Sequence, residues 1–109
     1  MTPPDERRAT PRFLAKPGGK FTYGMTPADI RDLSLEGVYV LDPDPLPEGS
    51  ELAFCLIADG TEIELEGIVR LSHDAGMGIE FTRIPAVSKR RLRIYIAGLV
   101  PVPSELVAK

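Results

Sequence analysis

Two short stretches of this 109-residue chain carry residue types that could hold a charged, planar ligand. The first is Arg8-Ala9-Thr10-Pro11-Arg12, two guanidiniums four residues apart on a proline-stiffened segment. A guanidinium presents a planar fork of N–H donors that suits phosphate oxygens or the Hoogsteen edge of guanine, and its flat face stacks on a base. The second is Asp32-Leu33-Ser34-Leu35-Glu36-Gly37. Strand alternation sends Asp32 and Ser34 to one side and Leu33 and Leu35 to the other. An ionised aspartate only accepts hydrogen bonds, which suits the paired N–H donors of a guanine edge; serine donates and accepts beside it, and Gly37 lets a ligand approach the backbone. Asp, Ser and Gly are also what an ordinary hairpin turn uses, so taken alone the stretch reads as a turn as readily as a site.

Other constellations carry less. Ser72-His73-Asp74 contains the three residue types of a catalytic triad, but adjacent side chains in a turn cannot line up as nucleophile, base and orienter. His73 is the only histidine, so histidine-rich metal coordination and a histidine acid/base pair are both excluded. Gly76-Met77-Gly78 precedes a strand instead of opening a helix and reads as hairpin backbone. Lys89-Arg90-Arg91-Leu92-Arg93 could meet phosphates or an acidic partner, but reads first as a solvated helix face. Cys55 is the only cysteine, which excludes an intrachain disulfide and a cysteine-rich metal site. Its setting in Leu52-Ala53-Phe54-Cys55-Leu56-Ile57 predicts a buried, inert thiol.

Elements that could position these residues follow from hydrophobic periodicity. Residues 1–19 hold four prolines, the Gly18-Gly19 pair and a basic run from Arg7 to Arg12, which predicts a flexible arm. Short strands are expected around Phe21–Met25, with Phe21 and Tyr23 on one face, at Ala28–Leu33 and at Val38–Leu41. The proline-rich loop Asp42–Gly49 ends the last of these. Glu51–Ala58 and Thr61–Leu71 alternate cleanly around Asp59-Gly60, a two-residue hairpin signal. Leu52, Phe54 and Leu56 face the core from one strand, and Ile63, Leu65, Gly67, Val69 and Leu71 from the next, whose other face of Glu62, Glu64, Glu66, Ile68 and Arg70 is solvated. Ser72–Gly76 is a turn, and Met77, Ile79 and Phe81 face inward from a further strand. Ala86–Ala97 changes to a helical period, with Leu92, Tyr95, Ile96 and Leu99 on the apolar stripe. Six strands and one C-terminal helix form one mainly β domain over residues 20–100, followed by a tail at 101–109. A small antiparallel barrel is the expected closure, because it removes exposed edges.

A formal net charge of −3 argues against a general nucleic-acid binder, which needs a broad cationic footprint. The first residues lack the apolar run of a signal peptide, and no segment is apolar over the length of a membrane helix. A cytoplasmic setting without membrane insertion is expected.

In order and spacing, the arginine pair followed about twenty residues later by Asp-x-Ser-x-x-Gly resembles the PilZ domain family, whose signature is R-x-x-x-R and D/N-x-S-x-x-G. Arg8, Arg12, Asp32, Ser34 and Gly37 fill every signature position. The resemblance runs on through Pro47-Glu48-Gly49, Glu66-Gly67-Ile68-Val69-Arg70, Gly78-Ile79-Glu80-Phe81 and the closing helix, covering about Arg7 to Leu99. It implies a six-stranded antiparallel β-barrel with a C-terminal α-helix that binds the bacterial second messenger cyclic di-GMP as a receptor, not an enzyme, with no metal and no cofactor besides that ligand. It further implies that Arg8 and Arg12 bind phosphates and guanine, that Asp32 and Ser34 hold a guanine edge, and that Gly37 permits close approach. Arg7 matches a frequent additional arginine. In such a protein the arm orders around one or two ligand molecules and relays the signal to a protein effector. The alternative is a PilZ-like interaction module for motility or secretion machinery that binds no nucleotide.

Overall fold

The computed structural model describes residues 11–15, 19–23, 26–73 and 75–101. Its strands are β1 (Phe13–Leu14), β2 (Lys20–Tyr23), β3 (Thr26–Leu33), β4 (Gly37–Leu41), β5 (Glu51–Ala58), β6 (Thr61–His73) and β7 (Gly76–Arg83); helix α1 (Ala86–Ala97) and a short β8 (Val100–Pro101) follow. Every pairing is antiparallel, in the order β2-β5-β6-β7-β4-β3, and β2 pairs with β3 as well, which closes a six-stranded barrel. Closure leaves no free edge along most of the barrel.

Asp59 and Gly60 take φ of 52° and 77°, the pair of left-handed residues that a type I′ hairpin requires, so the two-residue connection between β5 and β6 follows directly from the sequence. Alternation then fills the interior. Phe54 and Leu56 of β5, Ile63, Leu65 and Val69 of β6, and Met77, Ile79 and Phe81 of β7 are buried, whereas Glu62, Glu64, Glu66 and Arg70 are exposed. Phe21 stacks against Phe54 at 4.9 Å between ring centroids and lies 5.7 Å from Tyr23. Leu71 departs from the expected inward set and is exposed. The register between β6 and β7 shifts between Val69 and Leu71, and such a shift turns the following side chains to the opposite face.

Helix α1 closes one end. Leu92, Tyr95 and Ile96 bury its apolar stripe together with Ser88, one turn before Leu92, and Leu99 is buried just past the helix. Arg91 donates from Nη1 to the Glu62 carbonyl at 2.9 Å, tying the helix to β6. At the C-terminus the Gly98 N–H donates to the Tyr95 carbonyl at 3.2 Å and the Leu99 N–H to the Ile96 carbonyl at 2.9 Å. Lys89, Arg90 and Arg93 stay exposed, the solvated face the charge pattern allows.

The segment 1–19 is not wholly an arm. Residues 1–10 and 16–18 lie outside the described set, but Phe13 and Leu14 pair with Leu33 and Asp32 of β3, and Ala15 donates to the Arg31 carbonyl at 3.2 Å. The reason is local. β2 accompanies β3 only as far as Asp29, so the second half of β3 would expose unpaired backbone groups; β1 takes that edge, and β8 pairs on its far side. Phe13, half-buried against the core, anchors the segment.

Candidate functional site

The second half of β3 is where the two motifs meet. Asp32 sits opposite Leu14 on one side and Tyr39 of β4 on the other. Its side chain is only 6% exposed, and a carboxylate that deep needs compensating charge. Two arginines supply it. Arg12 donates from Nε to Oδ1 at 2.6 Å and from Nη2 to the Asp32 carbonyl at 3.4 Å, while Arg31 donates from Nε to Oδ2 at 2.6 Å. The last arginine of the first motif therefore rests on the first residue of the second, across twenty residues of sequence. Arg7 and Arg8 lie outside the described residues.

Ser34 is buried at the turn into β4. Its hydroxyl accepts the Glu36 N–H at 3.0 Å, and its own N–H donates to the Gly37 carbonyl at 2.8 Å. The Glu36 carbonyl in turn accepts the Phe81 N–H at 2.8 Å, which pins the turn to β7. Ser34 thus holds the turn in one shape, and its hydroxyl proton is still available to a further acceptor.

Gly37 has a structural reason that the sequence did not reveal. A Cβ there would lie 2.6 Å from the Ile79 carbonyl oxygen, so the absence of a side chain lets β7 approach β4. It does not supply a left-handed bend: the described glycines with positive φ are Gly49 and Gly60.

Sequence reasoning passed over two residues here. Arg31 was read only as strand, yet it makes one of the two ion pairs to Asp32, and its Cζ lies 3.9 Å from the centroid of the Tyr39 ring. Tyr39 in turn lies across β7, where a Cβ on Gly76 would fall 2.6 Å from its hydroxyl and one on Gly78 3.6 Å from its ring. An arginine beside an aspartate, with an aromatic residue six positions beyond Leu33, was the available signal; the bulge that aligns them was not.

A second cluster lies elsewhere. The ligand atoms of Cys55, Glu62 and Glu64 approach within 4.8 Å of one another on the outer face of β5 and β6. Cys55 is partly exposed there and not buried as expected, because inward positions alternate through Phe54, Leu56 and Ala58 and leave Cys55 facing out. Burial pushes its thiol pKa up, and Glu64 and Glu62 push it further, which disfavours the thiolate that nucleophilic attack needs. His73 ends β6 and is exposed, and Asp74 lies outside the described residues, so no triad geometry is seen there.

The comparisons with known proteins agree with this architecture. The family model for the PilZ domain matches residues 6–98. The chain belongs to the PilZ domain family. Among solved structures, the PilZ domain of YcgR from Escherichia coli, determined with c-di-GMP, superposes with a TM-score of 0.71 at 18% identity, over 85% of this chain and 91% of that one. The Bacillus subtilis inhibitor of motility MotI/DgrA gives 0.67 at 22% identity, over 89% of this chain and 55% of that one. The uncharacterized Legionella protein Lpg0364 gives 0.61 at 18%, over 76% and 86%. At these identities the likeness is one of fold. No curated protein matches the chain in sequence. PilZ domains are ligand-binding regulatory modules rather than enzymes. Among the described residues no helix is long and apolar enough to cross a membrane.

Proposed function

We propose that this PilZ domain is a cyclic di-GMP receptor that binds the dinucleotide at the Arg12–Asp32 junction and relays its presence to a protein partner. The observation that carries the reading is the meeting of the two motifs on one buried carboxylate, with Arg12 on Oδ1 and Arg31 on Oδ2. Such a carboxylate is the acceptor a guanine edge requires, and the arginines beside it are donors that suit guanine and phosphate. The YcgR domain, similar in fold, was determined with this ligand.

Arg12 occupies one of the two oxygens that guanine N–H donors would use. Binding therefore exchanges partners: Arg12 turns toward phosphate or the guanine Hoogsteen edge while Asp32 accepts the guanine donors, so the carboxylate is never left uncompensated. Because Arg12 directly precedes β1, that exchange acts on the strand between β3 and β8 and so on the segment leaving the helix.

Titration calorimetry with cyclic di-GMP tests the reading. Wild type is expected to bind, and Arg12→Ala to bind at least tenfold more weakly, about the loss of one charge-assisted hydrogen bond. Equal heats for the two proteins, or none for wild type, would exclude it.

A further inference from the structure

Consecutive residues of a strand point to opposite faces, so Arg31 and Asp32 should not reach each other. They do, through the 2.6 Å bond from Nε to Oδ2, because the ladder between β3 and β4 passes from Ile30–Val40 directly to Asp32–Tyr39 and skips Arg31. Arg31 is the extra residue of a β-bulge, a device that re-aims a side chain. The bulge carries its guanidinium over the Tyr39 ring, at 3.9 Å from Cζ to centroid. Tyr39 is set down in turn over the backbone of Gly76, beside Gly78. Gly76 makes room for its hydroxyl end, where a Cβ would collide, and Gly78 lies at ordinary contact distance from its ring, so Gly76 serves a purpose besides forming a hairpin. The result is a stack of β7 backbone, tyrosine ring and guanidinium, with the Arg31 side chain 55% exposed at its top.

This stack exceeds what pairing Asp32 requires. A counter-ion needs only Nε, and the bond from Nε leaves the two terminal nitrogens uncommitted to the carboxylate. A lysine would serve as well for charge, but a planar guanidinium seated over a ring offers its other flat face, and arginine is weakly hydrated enough to give that face to a base.

Resting on the receptor reading above, we propose that Arg31 is a stacking platform for the guanine base that Asp32 holds, with Tyr39, Gly76 and Gly78 as its support. Asp32 reads the edge of the base and Arg31 covers its face. The two contacts are coupled, because the same Nε bond that orients the carboxylate fixes the plane of the guanidinium. The ordering cost falls on folding instead of binding, since Tyr39 already holds the platform in place.

Calorimetric titration of cyclic di-GMP into wild type, Arg31→Ala, Arg31→Lys, Gly76→Ala and Asp32→Ala tests this. Arg31→Ala is expected to weaken binding about tenfold or more, the scale of stacking on one base. Arg31→Lys keeps the cation without the plane and is expected to recover little of that loss. Gly76→Ala touches no ligand-facing group but places a methyl against the Tyr39 hydroxyl, and is expected to weaken binding severalfold while circular dichroism stays native. In wild type, the Arg31 Nε–H resonance should shift upfield on titration under the ring current of the stacked base, a signature that a counter-ion alone would not produce. Full rescue by Arg31→Lys, or an Nε–H that does not shift while the ligand binds, overturns the platform and leaves the receptor reading standing. Absence of wild-type binding overturns both.

Discussion

The barrel presents carboxylates in two contrasting ways. At the β3–β4 rim a single aspartate is buried under two guanidiniums; on the outer face of β5 and β6, Glu62 and Glu64 stand in solvent beside a protonated thiol. The second group has more carboxylates, yet the first has the features of a site. Exposed carboxylates keep their hydration and need no fixed donors, whereas a buried one must be held by such donors, and those are then pre-positioned for a ligand. Clustering alone is therefore a poor guide to function, and what compensates each charge is the better one.

The rim depends on close backbone approach, so the largest effect should come from Gly37→Ala. Its methyl would meet the Ile79 carbonyl oxygen, a backbone atom that cannot swing aside, and overpacking of this kind costs about 1–3 kcal/mol. Urea denaturation should show that loss, and a wild-type midpoint would mean that the rim is not tightly seated on β7.

Asp32→Asn comes next. It leaves both arginines facing a neutral amide, and a loss of about 1–2 kcal/mol is expected, moderated by the exposure of the two guanidiniums. The matching change on the outer face, Glu64→Gln, should alter stability by about 0.5 kcal/mol or less, as exposed substitutions generally do. Equal effects of the two would erase the contrast between the regions.

The smallest effect is chemical. The raised pKa of Cys55 means that at a pH of about 8.5, where an ordinary thiol is half ionised, less of it is thiolate. Iodoacetamide should alkylate the folded protein more slowly than the urea-unfolded chain, and Glu64→Gln should speed the folded reaction. The linkage has the same sign: a thiol whose pKa is raised by folding contributes stability below its unfolded value and loses it as pH rises through the folded one, so the contribution is lost only in the alkaline range. Alkylation at equal rates in folded and unfolded protein would contradict the assignment.

Much of this was legible beforehand because it rests on period and on local turn chemistry. The inward sets of β5 to β7, the Asp59-Gly60 turn and the bounds of α1 are encoded in neighbouring residues. What escaped depends on breaks in period. Leu71 faces out because of one register shift, and Arg31 joins Asp32 because of another, and neither shift has a mark in the local sequence. The outward setting of Cys55 was readable from the alternation of Phe54 and Leu56, but a run of apolar residues masked it. The anchoring of Phe13–Leu14 answers a vacancy on β3 that exists only once β2 has paired and departed. Family resemblance implied only that Arg12 and Asp32 contact one ligand; their direct ion pair was not legible in the sequence, and it arises because strand β1 brings the two side by side.

The most direct test of the central claim, that the rim and not the outer face is the ligand site, is a two-dimensional NMR titration of the isotopically labelled protein with cyclic di-GMP, following amides and arginine Nε–H groups. The account predicts shifts concentrated at Arg12, Arg31, Asp32, Ser34 and Tyr39, with Cys55, Glu62 and Glu64 unmoved. Shifts centred on the outer face, or none at saturating ligand, would contradict it.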